Sequence, residues 1–228
     1  MLGTVVNAGA IAFGALVGII LRTGIPQKYK DTVMQALGIA VALIGIKMAL
    51  QTRNELIVII SLAAGAVVGE ALGIERALEK LGERLQKTLN SSDGDFVKGF
   101  VTCSLVYCVG AMSIMGALES GLTGQHKILF AKSLLDGISS IIFASTMGVG
   151  VIFSGLSVLF YQGGLTLLAG SVKVFMTEAV IAEMTSTGGL LILAISANIL
   201  GLTKFKTANL LPAILVAAVL TLLVGGGQ

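Results

Sequence analysis

Lys132, Asp136, Ser139 and Thr146 recur at helical spacing along one stripe of the apolar run 128–153, with Ser140 and Ser145 just beside it. Ser133 is grouped with this stripe. A carboxylate near the middle of a stretch long and apolar enough to cross a bilayer costs about 2.5 to 3.5 kcal/mol on insertion scales. Its default surroundings are therefore a partner inside a helix bundle or a polar pathway. Two readings suit the stripe. In the first it lines a route for an ion or small solute, with Asp136 binding a cation or a proton. In the second Lys132 pairs with Asp136 four residues on, and the hydroxyls bond carbonyls one turn back or join neighbouring helices. Helix packing alone rarely needs a charge together with so many hydroxyls, which weights the first reading.

Other polar residues stand inside apolar stretches: Asn7, Gln35, Glu70, Tyr107, Ser113, Glu119, Gln162, Ser196 and Asn198. Asn7, Glu70, Gln162 and Asn198 join Asp136, Lys132, Ser133, Ser139 and Ser140 as candidates for a substrate or ion pathway. Glu70, in GAVVGEALG at the end of a span, has a competing role as a group that merely meets the membrane interface. Glu178 and Glu183 precede a Thr-Ser-Thr-Gly-Gly sequence at 185–189, which is expected to be a turn after an interfacial connector, or a re-entrant gate.

Signatures of catalysis are missing. With a single histidine, His126, neither a His-Glu-x-x-His zinc helix nor a histidine-rich site can be built. Cys103 and Cys108 lie five apart in one span, point to different sides and read as small buried residues. Neither a phosphate-binding loop nor a Gly-x-Ser-x-Gly elbow is present, and Asp136 has no aspartate partner in another span. The chain is therefore expected to be no enzyme, with no catalytic residue, metal site or cofactor.

The elements that must position these residues follow from composition. Of 228 residues, 55% are hydrophobic and 12% charged, and the mean hydropathy is +0.98. That balance belongs to an all-α polytopic membrane protein. Thirty glycines with two prolines and no tryptophan suit helices that approach closely. The apolar stretches are continuous rather than alternating, which disfavours a barrel. About eight transmembrane helices are expected, near 1–22, 32–50, 56–74, 99–117, 128–147, 149–170, 187–203 and 208–225, each able to cover about 30 Å at 1.5 Å per residue. The boundary inside 128–170 rests on Gly148 and Gly150, which leaves open two full spans or a broken or re-entrant segment. The amino terminus has no basic leader and reads as a retained span.

Basic loops resist translocation. Arg22, Lys28, Lys30, Arg76, Lys80, Arg84, Lys87, Lys98, Lys204 and Lys206 fall on one side, and Lys47, Arg53, Lys127, Lys132 and Lys173 on or facing the other. Both termini are thus expected outside. Between the third and fourth spans, 75–90 places Ala77, Leu78, Leu81, Leu85 and Leu89 on one face and charges on the other, an amphipathic helix on the cytoplasmic interface. The SSDGD turn at 91–95 is expected to be the most mobile cytoplasmic segment. No basic patch with interleaved aromatics suggests nucleic acid.

The chain also shows an internal repeat. Gly14-Ala15 matches Gly110-Ala111 at a shift of 96, and Gly38 and Gly65 match Gly137 and Gly164 at a shift of 99. Within a single membrane domain, 1–228, units 1–90 and 98–186 would each carry three spans and a helical connector (75–90, then about 173–184). An odd number of crossings inverts the second unit, and 187–228 adds two C-terminal helices. Inverted repeats with a site near the bilayer midplane are common among secondary transporters.

The stretches 24–46, 56–82, 132–146, 159–170 and 188–213 (among them KSLLDGISSIIFAST and LFYQGGLTLLAG) resemble the bacterial family called domain of unknown function 554 over nearly the whole chain. The resemblance implies a bacterial inner-membrane protein of the transport class and leaves substrate and mechanism open; it carries over no catalytic residue. Two classes of function follow: a transporter or channel for a small solute or ion, or a non-transporting scaffold or accessory subunit. The expected partners are membrane lipid, a small solute or ion, and a second copy, since Gly14, Gly18 and the series Gly65, Gly69, Gly73 offer faces for a homodimer.

Overall fold

The computed structural model describes residues 1–22 and 26–225; Gly24 and Ile25 of the stretch 24–46 and residues 226–228 lie outside them, as does the side chain of Lys30. The described residues form helices and no strand. In chain order the helices are α1 (Leu2–Arg22), α2 (Gln27–Ala49), α3 (Glu55–Leu72), α4 (Ile74–Thr88), α5 (Phe96–Cys108), α6 (Ala111–Thr123), α7 (Lys127–Met147), α8 (Gly150–Leu167), α9 (Ala169–Val172), α10 (Glu178–Ile199) and α11 (Pro212–Gly225). Seven spans among the described residues are long and apolar enough to cross a membrane, and α5 with α6 makes an eighth if the pair is one broken span.

Two expectations about span boundaries change, and the boundary left open inside 128–170 falls where Gly148 and Gly150 suggested. The continuous span expected at 99–117 is two helices bent by 62°. The break falls at Gly110, whose φ of +148° is a backbone conformation that side chains rarely tolerate. The run 128–170 resolves into two full helices separated at Gly148, with φ +77°. A Cβ there would collide with the Asp93 carboxylate and the Arg22 guanidinium, so glycine is required on steric grounds as well. Finally, α10 starts nine residues before position 187. Thr177 caps it by accepting a hydrogen bond from Val180 N, and Thr185 to Gly189 are helical rather than a turn. The connector expected at about 173–184 shrinks to a 3-10 turn at Lys173–Phe175 and the cap of α10, preceded by the short α9.

The helices gather into two compact units, Met1–Met34, Glu79–Cys108 and Met112–Ser171 in the first, and Gln35–Leu78, Val109–Ala111 and Val172–Gln228 in the second. In the first unit α1 and α7 run in the same direction, Gly3 against Leu129 and Gly14 against Gly137. A Cβ on Gly14 would overlap the Gly137 carbonyl oxygen, so these backbones touch. α8 runs antiparallel to α1, with Gly155 facing Ala8, and parallel to α5, with Ser104 Oγ donating to Ser157 Oγ at 2.9 Å.

In the second unit α2 and α10 are antiparallel, tied at their ends by Ser196 Oγ donating to Gly38 O (2.7 Å) and Ser186 Oγ to Ala49 O (2.6 Å). α3 and α11 pack through Gly65 on Ala213, and Gly69 lies on Asn209 just before α11. These glycines, like Gly14 and Gly18, are occupied inside the chain, so they leave no free face for a second copy. Gly73 serves as the left-handed cap of α3. α4 from Glu79 onward belongs to the first unit and is strongly two-faced: Gly82 is buried against Val97 and Phe100, Leu85 is half-buried, and Glu79, Lys80, Glu83, Arg84 and Lys87 are exposed.

Candidate functional site

The first unit builds a closed polar ring around Asp136. Asp136 is 6% exposed and Lys132 8% exposed. One helical turn apart on α7, they form an ion pair at 2.9 Å. Asn7 of α1, a helix held against α7 by the Gly14–Gly137 approach, donates through Nδ2 to Asp136 Oδ2 (3.1 Å) and to Gln162 Oε1 of α8 (3.3 Å). Gln162 Nε2 in turn donates to Ser113 Oγ (3.3 Å) at the start of α6. Ser113 Oγ donates to the Tyr107 carbonyl (2.8 Å) in the last turn of α5. The Tyr107 hydroxyl pairs with Ser140 Oγ at 2.9 Å, and Ser140 bonds the Asp136 carbonyl at 2.7 Å.

The broken span is what completes this ring. Tyr107 and Ser113 flank Gly110, so the bend turns the last carbonyls of α5 and the first residues of α6 toward α7 and α8. Removing an ion from water is expensive, and a buried pair persists only where geometry and extra hydrogen bonds compensate. Here Lys132 and Asn7 supply that compensation to both carboxylate oxygens.

Asp136, Lys132, Asn7, Gln162 and Ser140 thus converge, while the other expected residues do not. Ser133 and Ser139 bond carbonyls of their own helix, Leu129 O at 2.7 Å and Leu135 O at 2.8 Å. Glu70 belongs to the second unit, where it accepts from Lys206 Nζ (2.7 Å) and Asn209 Nδ2 (2.6 Å). Asn198, also in that unit, closes the turn after α10 by donating to Phe205 O and accepting from Phe205 N, both at 2.8 Å. Tyr107 and Ser113 were each visible as polar residues in an apolar run. The signal that groups them is the glycine between them.

Two further carboxylates stood in segments read as connectors. Asp93, in the turn expected to be mobile, has a side chain only 9% exposed, and its Oδ2 accepts from Arg22 Nη1 (2.6 Å) and from Val149 N (2.9 Å). It therefore clasps the end of α1 to the turn between α7 and α8. Burial works to raise the Asp93 pKa, but the hydrogen bonds from Arg22 and Val149 outweigh it and hold the carboxyl below its ordinary value. Glu183 of α10 is 1% exposed. It accepts from Thr52 Oγ1 (2.6 Å), Arg53 N (2.7 Å) and Asn54 N (3.1 Å), pinning the α2–α3 turn. Among the described residues no group of three or more His, Cys, Asp or Glu is placed to hold a metal ion.

Comparison with known proteins gives the chain its relatives. The profile of the family described as "Protein of unknown function (DUF554)" matches residues 2–222. The uncharacterized membrane protein YdfK of Bacillus subtilis (strain 168) is 35% identical over 223 residues, covering 96% of this chain and 95% of that protein. The uncharacterized protein YqgA of Escherichia coli (strain K12) is 28% identical over 222 residues, covering 95% and 94%. No solved structure matches.

Proposed function

The chain belongs to the DUF554 family of membrane proteins, and from that premise we propose that it transports a small solute or ion, with its site at the ring around Asp136. The observation that carries this reading is the buried Lys132–Asp136 pair set beside a broken span. Ionisable residues inside a membrane are expensive and mark pathways, and discontinuous helices form binding sites in many secondary transporters. The α5–α6 break supports the same reading, because backbone freed from helical bonding at membrane depth is tolerated where protein or a polar cavity meets it.

The proposal includes the bacterial cytoplasmic membrane as location, both termini outside, no catalytic activity, and an inverted repeat relating 1–90 to 98–186. Three spans in each segment, α1 to α3 and then α5–α6, α7 and α8, support the repeat. A homodimer remains part of the proposal, but not through Gly14, Gly18, Gly65 and Gly69, which pack on other segments of the chain.

A second reading, a non-transporting scaffold or accessory subunit, is favoured by one observation. The Lys132–Asp136 pair is complete within the chain, and Ser133, Ser139, Ser140 and Thr146 all bond carbonyls of their own helix. Asp136→Asn separates the two. Asparagine keeps the shape and deletes the charge, so uptake of a metabolite and ion panel into proteoliposomes is expected to fall far more than thermal stability does. Unchanged uptake of a transported compound would assign Asp136 to packing.

A further inference from the structure

Two carboxylates that the ring around Asp136 does not use, Asp93 and Glu183, meet the backbone in the same way. Each comes from outside a hairpin of two spans and accepts N–H groups at the point where the second helix of that hairpin begins. In the first unit Val149 N, immediately before α8, donates to Asp93 Oδ2 at 2.9 Å, and Arg22 Nη1 from the end of α1 donates to the same oxygen at 2.6 Å. In the second unit Arg53 N and Asn54 N, immediately before α3, donate to Glu183 Oε1 at 2.7 and 3.1 Å, and Thr52 Oγ1 donates to Glu183 Oε2 at 2.6 Å. The first N–H groups of a helix have no partner within it and form the positive end of its dipole, so a carboxylate is favoured there. Val149 follows Arg53 at the same shift of 96 that relates Gly110-Ala111 to Gly14-Ala15.

Both contacts stand where their bonds can be exchanged. The carboxylates themselves are withdrawn from solvent, yet water touches the rim of each: the Arg22 side chain is 26% exposed and that of Arg53, whose backbone Glu183 holds, is 62% exposed. N–H groups freed at a helix start can take bonds from water or from a side chain, as Leu56 N already does from Asn54 Oδ1 at 3.1 Å. Bonds in the middle of a span have no such substitute. Three spans, α3, the α5–α6 pair and α7, separate the α2–α3 turn from the α7–α8 turn along the chain. An odd number of crossings puts the two turns on opposite faces, the first outside and the second cytoplasmic in the proposed topology.

We infer that Asp93 and Glu183 are counterpart latches, one for each face of the membrane: Asp93 fastens the α7–α8 hairpin of the first unit at the cytoplasmic side, Glu183 fastens the α2–α3 hairpin of the second unit at the outer side, and release of either loosens its own hairpin at its own face. This deepens the transport reading and rests on it for the purpose of the opening, since alternating access requires a closure at each face that yields separately. The two latches are built differently. Asp93 has a cationic partner in Arg22, whereas Glu183 is met by a hydroxyl and two N–H groups while the Arg53 guanidinium turns to Glu178 at 3.5 Å. Deleting Asp93 thus removes an ion pair together with a helix cap, and deleting Glu183 removes a helix cap alone.

Thiol accessibility tests this without any substrate. In a Cys103→Ala, Cys108→Ala background, Val151→Cys in the first turn of α8 and Val58→Cys in the first turn of α3 report on the two hairpins, since both valines are buried. Each reporter is combined with Asp93→Ala or Glu183→Ala and reacted with a cationic, membrane-impermeant methanethiosulfonate in right-side-out and inside-out membrane vesicles. Deleting a carboxylate slows a cationic reagent electrostatically, so a faster reaction reports opening. Asp93→Ala is expected to speed Val151→Cys about tenfold or more, from the cytoplasmic face only, and to leave Val58→Cys within about twofold; Glu183→Ala is expected to do the reverse from the outer face. Asp93→Asn and Glu183→Gln keep the side-chain shape and serve where an alanine variant fails to fold, with an expected rise of about threefold at the variant's own hairpin. An unchanged rate at that hairpin, an equal rise at both hairpins, or reaction from the wrong face overturns the latches. Uptake is not measured, so failure here is distinct from a failure of the Asp136→Asn transport test.

Discussion

At the scale of single residues, the ion pair decides how much charge the bundle can bury. Lys132→Met leaves a carboxylate without its counter-charge, and breaking a buried pair from one side typically costs about 3 to 5 kcal/mol. The double variant Lys132→Met, Asp136→Leu removes both charges and is expected to recover most of that loss; thermal unfolding in mild detergent measures both. Asp93 makes a pH-dependent contribution whose sign follows from its depressed pKa. Its stabilisation is fully present above the ordinary carboxylate value of 3.8 and disappears as the pH falls through the lower folded value. The stability difference between wild type and Asp93→Asn is thus expected to shrink on acidification below that range. A constant difference would show that the clasp does not depend on ionisation.

At the scale of elements, contact between backbones positions the site. Asn7 reaches Asp136 because α1 and α7 meet at Gly14 and Gly137 with no side chain between them. Gly14→Leu is expected to part these helices and lower the unfolding midpoint strongly, whereas Gly9→Leu, at a position with open space around it, is expected to be nearly neutral. Loss of folded protein, rather than a shift from dimer to monomer, is the outcome consistent with an intrachain contact. The break between α5 and α6 belongs to this scale as well. A glycine inside an apolar run signals close packing in most membrane helices, and only the positive φ at Gly110 distinguishes a bend from a contact.

At the scale of the molecule, topology is the accessible test. If the proposed orientation holds, α4 lies on the cytoplasmic side, and a cysteine at exposed Lys80 in a Cys103→Ala, Cys108→Ala background is expected to react with an impermeant reagent only from that side; labelling from outside would reverse the orientation. Hydropathy, residue by residue, was enough to read an all-α membrane protein, most of its spans, the two-faced α4 and a carboxylate at Asp136 inside a span, because a bilayer imposes one requirement on every spanning segment: about twenty apolar residues with their backbone bonds satisfied internally. Pairing of Lys132 with Asp136 was equally legible, since it needs only one helical turn. Tertiary structure alone decided that Asn7, Gln162, Ser113 and Tyr107 close on that pair while Glu70 and Asn198 serve turns of the other unit. Those outcomes depend on which helices become neighbours and at what height, and that is set by the meeting of glycine faces distant in the chain, which no local periodicity records.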